Sequence, residues 1–223
     1  MNDRARGETE RFLSLLLEKN KRLNLTAIRD PEEAAVRHIG DVAAICGLFP
    51  FEGKRLIDVG SGGGVPGIPL RLICPSLRVT LLDAAAKKVT FLQSVCDTMG
   101  LGDVACIAAR AEEQALLPGF RDAYDVAIAR GVARLSILSE LCLPFVRPGG
   151  FFLAMKGEDP RGETEEAATI LARVGGCLKE VIPYDLGLNI RHTLVVVEKT
   201  RTTPPGYPRK WAIIKSETKR EST

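Results

Sequence analysis

Only two histidines, one tryptophan and three methionines occur among the 223 residues. Cysteine is present at Cys46, Cys74, Cys96, Cys106, Cys142 and Cys177, but no two of these form a C-x-x-C pair. Without paired cysteines or a histidine cluster there is no zinc-ligand spacing, so a metal site is not expected. Most of the cysteines lie in apolar stretches, where the residue serves as a small core side chain. No apolar run approaches bilayer length. The first ten residues carry Asp3, Arg4, Arg6 and Glu8 where a secretory leader would be apolar. A cytoplasmic protein with no membrane partner is therefore the expectation.

The rest of the composition is ordinary for a folded domain: 45% hydrophobic and 26% charged. The length suits one α/β domain with extensions. The net charge of +3 is unevenly placed. From Lys199 to Thr223, seven lysines and arginines stand against two glutamates, an excess of five, which leaves the body slightly acidic. Such a tail suits an anionic partner.

Apolar spacing predicts a helix over Thr9–Arg22. A second helix is expected from Asp30, with Pro31 at its first position and Glu33 completing a capping box, running to Leu48. Strand-length apolar runs follow at Leu56–Val59, Val79–Leu82, Val104–Ala108, Val126–Ala129 and Phe151–Met155. Helical segments separate them at Ile68–Ile73, Ala86–Met99, Glu112–Leu117 and Leu135–Val146. This alternation implies a mostly parallel sheet with helices on both faces. A helix over Gly162–Val174 and two strands, Leu178–Tyr184 and His192–Glu198, close the pattern. The expected division is a helical extension over 1–50, a core domain over 51–200 and a basic tail over 201–223.

The stretch RLIDVGSGGGVPGIPL, Arg55 to Leu70, joins a strand to a helix through a glycine-rich turn. Two frames fit it. Gly62, Gly64 and Gly67 match the G-x-G-x-x-G of dinucleotide folds, with Asp83 placed to take a ribose. Asp58, Gly60, Gly62 and Gly64 match the D-x-G-x-G-x-G loop of S-adenosylmethionine-dependent methyltransferases. Charge separates the two. An acid before the turn opposes a pyrophosphate, and Pro66 and Pro69 remove N–H groups that a phosphate would use. A cationic sulfonium has no such needs; Asp58 is expected near its positive end and Asp83 at its ribose. A nicotinamide-dependent reductase is the rival reading. An RNA-binding module with a degenerate version of the fold and a small-molecule methyltransferase are the others.

The loop is one of an ordered series: NLTAIRDPEEAAVRHIGD, IDVGSGGGVPGIPL, LLDAAAKKVTFL, ARAEE, ARGVARLSILSELCLPFV, AMKG, RHTLVVV and PPGYPRK. From about Asn24 to Lys210 the chain resembles the small-subunit ribosomal RNA methyltransferase G family. The resemblance implies a Rossmann-like class I methyltransferase fold with a seven-stranded sheet, and S-adenosylmethionine as cofactor. It implies methyl transfer to N7 of guanine 527 in the 530 loop of 16S rRNA. 16S rRNA or the small ribosomal subunit would be the partner, with no role for DNA; a monomer is the expected state. It carries cofactor contacts to Gly60, Val65, Ala111, Glu112 and Arg130, and functional roles to Arg110 and Lys156. Two features depart from the family: a shorter stretch before N-L-T, and Val42 where the H-x-x-D-S pattern has serine.

The chemistry agrees with that implication. The fourth strand ends in Ala129-Arg130-Gly131, lacking the [DN]-P-P-[YF] device for amine methylation. Cys142, the nearest candidate nucleophile for pyrimidine C5 chemistry, falls in a helix. Guanine N7 has an in-plane lone pair and no proton to lose, so alignment alone can drive the step, contributing on the order of 7–11 kcal/mol in well-oriented systems. Arg130 is expected on the cofactor carboxylate, a phosphate or guanine O6; Arg110 and Lys156 are expected to anchor RNA. His38 and Asp41, three apart, read equally as a helix-surface pair. Lys87 and Lys88 read as solvated charges. Tyr207 and Trp211, flanking Arg209 and Lys210, suit stacking plus phosphate contact.

Overall fold

The computed structural model describes residues 1–187 and 189–220, the side chains of 217–220 excepted. The chain opens with helix α1, Asp3–Leu23, which begins six residues before the apolar spacing suggests because Asn2 caps it: its side chain accepts from the Ala5 N–H at 2.9 Å. Helix α2, Pro31–Ala34, passes into a π-helical stretch, Ala35–Gly40, and then α3, Asp41–Leu48. Asp30 caps α2 as expected, accepting from Glu33 N–H at 2.8 Å. The Glu33 side chain pairs with Arg37 on the next turn.

The alternating region follows: β1 Arg55–Val59, α4 Gly67–Ile73, β2 Arg78–Asp83, α5 Ala86–Met99, β3 Ala105–Ala108, α6 Ala111–Gln114, β4 Tyr124–Arg130, α7 Leu135–Cys142 and β5 Val146–Lys156. Helix α6 is a single turn rather than the longer segment expected. The stretch Leu143–Phe145 is a 3₁₀ turn through Pro144, so α7 stops there and β5 starts at Val146. After α8, Arg161–Val174, come β6, Gly176–Asp185, and β7, Arg191–Lys199. The seven strands are ordered β3-β2-β1-β4-β5-β7-β6; β7 is antiparallel to both β5 and β6, and the other pairings are parallel. This is the mostly parallel, seven-stranded sheet that the pattern implied.

Both faces are buried, and strand alternation assigns the residues. Leu56, Val126, Ile128 and Leu153 face a core built with Phe12, Leu16, Ile45, Leu70 and Val95 of the helices on one side. Ile57, Ala127, Ala129 and Phe152 face Leu135, Leu138 and Leu171 on the other. Cys74, Cys96 and Cys142 are buried, as expected for small core residues, whereas Cys177 is exposed. Among the described residues no helix is long and apolar enough to cross a membrane.

The basic tail is attached along much of its length. Arg121 donates to the carbonyls of Thr203, Pro204 and Tyr207, and Arg209 grips Glu140. Helix α9, Trp211–Arg220, then begins where no helix was expected. Residues 221–223 and the side chains of Glu217, Lys219 and Arg220 lie outside the described part.

Candidate active site

The glycine turn after β1 crosses the end of β2 and is held by hydrogen bonds within the protein. The N–H groups of Gly60 and Ser61 both donate to Leu82 O, at 2.8 and 3.0 Å. Gly62 N–H donates to Asp83 Oδ2 at 2.9 Å, and Gly64 N–H to Ser61 O at 2.7 Å. At the start of α4, Gly67 N–H donates to Asp58 Oδ2 at 3.0 Å and Ile68 N–H to Gly64 O at 2.8 Å; Pro66 and Pro69 have no N–H. A pyrophosphate cradle needs these groups free. Here they are engaged, so the loop offers shape and carboxylate charge, which favours a cation over a diphosphate.

Backbone conformation explains the glycines. Gly60 has φ +78°, and a Cβ there would stand 2.7 Å from Val132. Gly67 packs so closely that a Cβ would meet Leu81 at 2.4 Å and the Asp58 carboxylate at 2.8 Å.

Between the loop, the end of β2 and the end of β3 lies a cavity of about 650 Å³, within the range of small-molecule sites. Of the residues singled out from sequence, Gly60, Gly62, Val65, Asp83, Arg110, Ala111, Glu112 and Arg130 lie on its wall. Lys88, read as a solvated charge, lies there too, its Nζ 3.9 Å from Asp83. Three expected site residues do not. At Gly64 an added Cβ would meet Ile68 at 2.7 Å and Leu92 at 3.0 Å. Lys156 donates to Ala133 O at 2.9 Å and pairs with Glu163 at 2.6 Å, and it lines a different pocket. Asp58 is 1% exposed and sits behind the loop, against α4. One of its carboxyl oxygens is a buried acceptor without a hydrogen-bond partner.

Burial pushes the Asp58 carboxyl up to about 7, opposed by the Gly67 N–H and the Arg130 charge. A raised carboxyl favours the folded state while protonated. Its contribution is complete below the ordinary carboxylate range near 4 and is lost as pH climbs through about 7. Asp58→Asn, which keeps an acceptor for Gly67, is therefore expected to gain stability over the wild type at pH 8 but not at pH 4. Thermal melts at both values check this; an equal difference at both would contradict it.

Arg130, the last residue of β4, meets the π-helical stretch. It donates to Arg37 O at 2.8 Å, to Asp41 Oδ2 at 3.1 Å, and to His38 Nδ1 at 2.9 Å. Arginine only donates, so His38 Nδ1 is unprotonated and its Nε2–H donates to Thr26 Oγ1, 3.0 Å away. Burial, and then the Arg130 charge, lower the His38 pKa to about 4, keeping the ring neutral at neutral pH. Asp41 Oδ1 accepts from the Tyr184 hydroxyl at 2.6 Å and from His192 Nδ1 at 3.0 Å. Burial and the facing Asp41 charge hold the Tyr184 phenol well above its usual range, so it remains a donor.

The possible surface pair His38 and Asp41 is thus an interior one, 4% and 1% exposed. Tyr184 and His192, which the sequence did not single out for function, complete it from β6 and β7. In sequence, His192 was marked only by the RHTLVVV segment, and Tyr184 only as the end of an expected strand. Arg130 and His38 border both the large cavity and a neighbouring one of about 270 Å³, which Asp41, Lys156 and His192 also line. Val42, where serine was expected, is fully buried in the core.

Two expected RNA contacts have other partners. Arg110 Nε pairs with Glu112 at 2.9 Å, and its guanidinium lies 4.9 Å from the Trp211 ring centroid. Trp211 itself lines the large cavity.

Comparison with known proteins agrees with this geometry. The family model described as "GidB: rRNA small subunit methyltransferase G" matches residues 6–182. A ribosomal RNA small subunit methyltransferase G of Acetivibrio thermocellus is 41% identical over 200 residues, covering 89% of this chain and 82% of the relative. One of Clostridium botulinum is 39% identical over 218 residues, covering 97% and 91%. Among solved structures, a SAM-dependent methyltransferase from Aquifex aeolicus superposes with a TM-score of 0.57 at 17% identity, covering 82% of this chain and 98% of that one; it attests the fold.

Proposed function

The chain belongs to the rRNA small subunit methyltransferase G family, and on that premise we propose that it methylates N7 of guanine 527 in 16S rRNA, using S-adenosylmethionine. The observation that carries this reading is the position of Arg130, between a cavity fit for a nucleoside-sized cofactor and a second, smaller pocket.

When bound, S-adenosylmethionine supplies an electrophilic methyl group on a positively charged sulfur. The residues of the large cavity suit it. Asp83, at the end of β2, is the acceptor for ribose hydroxyls, Glu112 and Ala111 form the wall beyond it, and Gly60, Gly62 and Val65 shape the approach. The N–H groups of Gly60, Ser61, Gly62 and Gly64 are engaged within the protein, which disfavours a pyrophosphate cradle at this turn.

The second pocket is the place for the guanine. A base inside a folded rRNA must leave its stack to be reached, as in other enzymes that act on bases. Of the cations lining this pocket, Arg37, Arg130 and Lys156, it is Arg130 and Lys156 that would meet its O6 or flanking phosphate. The reaction needs no base, since N7 has no proton to lose, and among the described residues no thiol lines either cavity. The product ring is cationic. A lone guanidinium beside it would be repulsive, and the Asp41 carboxylate against Arg130 offsets that charge. Holding Arg130 by three acceptors keeps its planar fork in one orientation, which is how positioning lowers a barrier.

A substrate of this kind suits a cytoplasmic enzyme acting on 16S rRNA or the small subunit and not on DNA; action as a monomer is part of the same proposal. Mass-spectrometric mapping of 16S rRNA from cells lacking the gene tests the function. The expected result is loss of 7-methylguanine at 527 and its return on complementation. An unchanged mark would overturn the proposal.

A further inference from the structure

The C-terminal segment is fixed in place before it reaches the large cavity. Lys199 is fully buried, with Nζ 2.6 Å from Thr203 Oγ1 and 3.1 Å from Asp122. Burial lowers this amine to about 8, against the attraction of Asp122. Arg209 donates through its backbone N–H to Glu140 at 2.8 Å and through its guanidinium at 2.6 Å; that carboxylate on α7 is 1% exposed. Two residues later α9 begins with Trp211, and Ile214, 3% exposed, seats its first turn.

Trp211 sits on the cavity wall at the side formed by Arg110, Ala111 and Glu112. Its ring faces the Arg110 guanidinium, which in turn pairs with Glu112. It is the one indole or phenyl ring among the described residues that line the cavity. We infer that Trp211 is a cofactor-binding residue. Its indole closes the end of the cavity that takes the purine of an adenine nucleoside, and it holds the Arg110–Glu112 wall in register. The inference rests on the methyltransferase reading and extends it to a helix whose aromatic-plus-base sequence suited RNA contact. A planar ring offers a purine a stacking surface, and a guanidinium flanked by ring and carboxylate loses its freedom to swing into the cavity.

The sole tryptophan of the chain is its own reporter. In the full-length protein, titration with S-adenosylhomocysteine is expected to change Trp211 emission, with a midpoint equal to the calorimetric dissociation constant. Trp211→Ala should weaken that binding about 10-fold, the scale of one lost base–aromatic stack, while Trp211→Phe should stay within about threefold because a ring remains. Circular dichroism melts check that both variants fold.

Wild-type affinity in the folded Trp211→Ala variant overturns the inference, as does calorimetric binding without an emission change. So does loss of rRNA affinity in that variant with cofactor affinity intact, which would mark Trp211 as an RNA anchor. Failure of the wild-type protein itself to bind S-adenosylhomocysteine is a different outcome: it removes the methyl-transfer reading, and this inference with it.

Discussion

Arg130→Lys is expected to lower the single-turnover rate of methyl transfer by on the order of 10²-fold, the scale of a small misplacement in an alignment-driven site, with cofactor saturating. Lysine keeps the positive charge facing Asp41 but has no planar fork. It cannot meet Arg37 O, Asp41 Oδ2 and His38 Nδ1 together, as Arg130 does at 2.8–3.1 Å. The His38 ring would lose the donor that fixes its tautomer, and the wall between the two cavities would loosen. Alanine is the harsher change. It leaves the Asp41 carboxylate, 1% exposed, without its cation, a loss worth about 3–5 kcal/mol for buried pairs, so a fall in activity would mix with a fall in stability. The lysine variant separates the two: its thermal midpoint should fall less than that of the alanine variant, because the charge facing Asp41 is kept, while transfer collapses. Turnover within about threefold of the wild type would show that Arg130 does not position anything the reaction needs.

Asp83→Ala should weaken S-adenosylhomocysteine binding by about 10- to 100-fold, the range for lost hydrogen bonds to a charged group. The residue has two tasks. Its carboxylate accepts from Gly62 N–H at 2.9 Å and Ala85 N–H at 2.8 Å, fastening the glycine loop to the start of α5. It also lines the cavity, where we propose it as the acceptor for ribose. Alanine removes both, and Asp83→Asn, which keeps one acceptor oxygen, should fall between. Calorimetry measures the series. Equal affinity in all three proteins would place the cofactor elsewhere.

The site divides into residues that local sequence could find and residues it could not. Asp83 was legible because the end of a second strand in an α/β unit is where a ribose acid belongs, and its 21-residue offset from Gly62 is set by one strand–helix–strand passage. Asp58 was legible as part of a motif, but its surroundings were not. Sequence shows an acid before a turn; it does not show that α4 folds back so that Gly67 N–H takes that carboxylate. Lys156 and Arg110 were marked by resemblance as RNA anchors, yet each has an intramolecular partner, Glu163 and Glu112, that no spacing rule announces. Tyr184, His192 and Trp211 stand 143, 151 and 101 residues from the groups they meet in space, beyond the reach of any periodicity.

What the sequence determined by itself was the order of strands and helices, the two-faced apolar sheet and the family to which its loop and motifs belong. Those follow from repeats of two and of 3.6 residues, and from turn residues whose backbone freedom is intrinsic. Only the tertiary structure decided which charges are buried, which N–H groups are engaged within the protein, and that a C-terminal tryptophan lines the cavity. Those depend on what lies within about 4 Å of a side chain, where electrostatic and dispersion energies are set, and chain contacts at that range come from elements far apart in sequence.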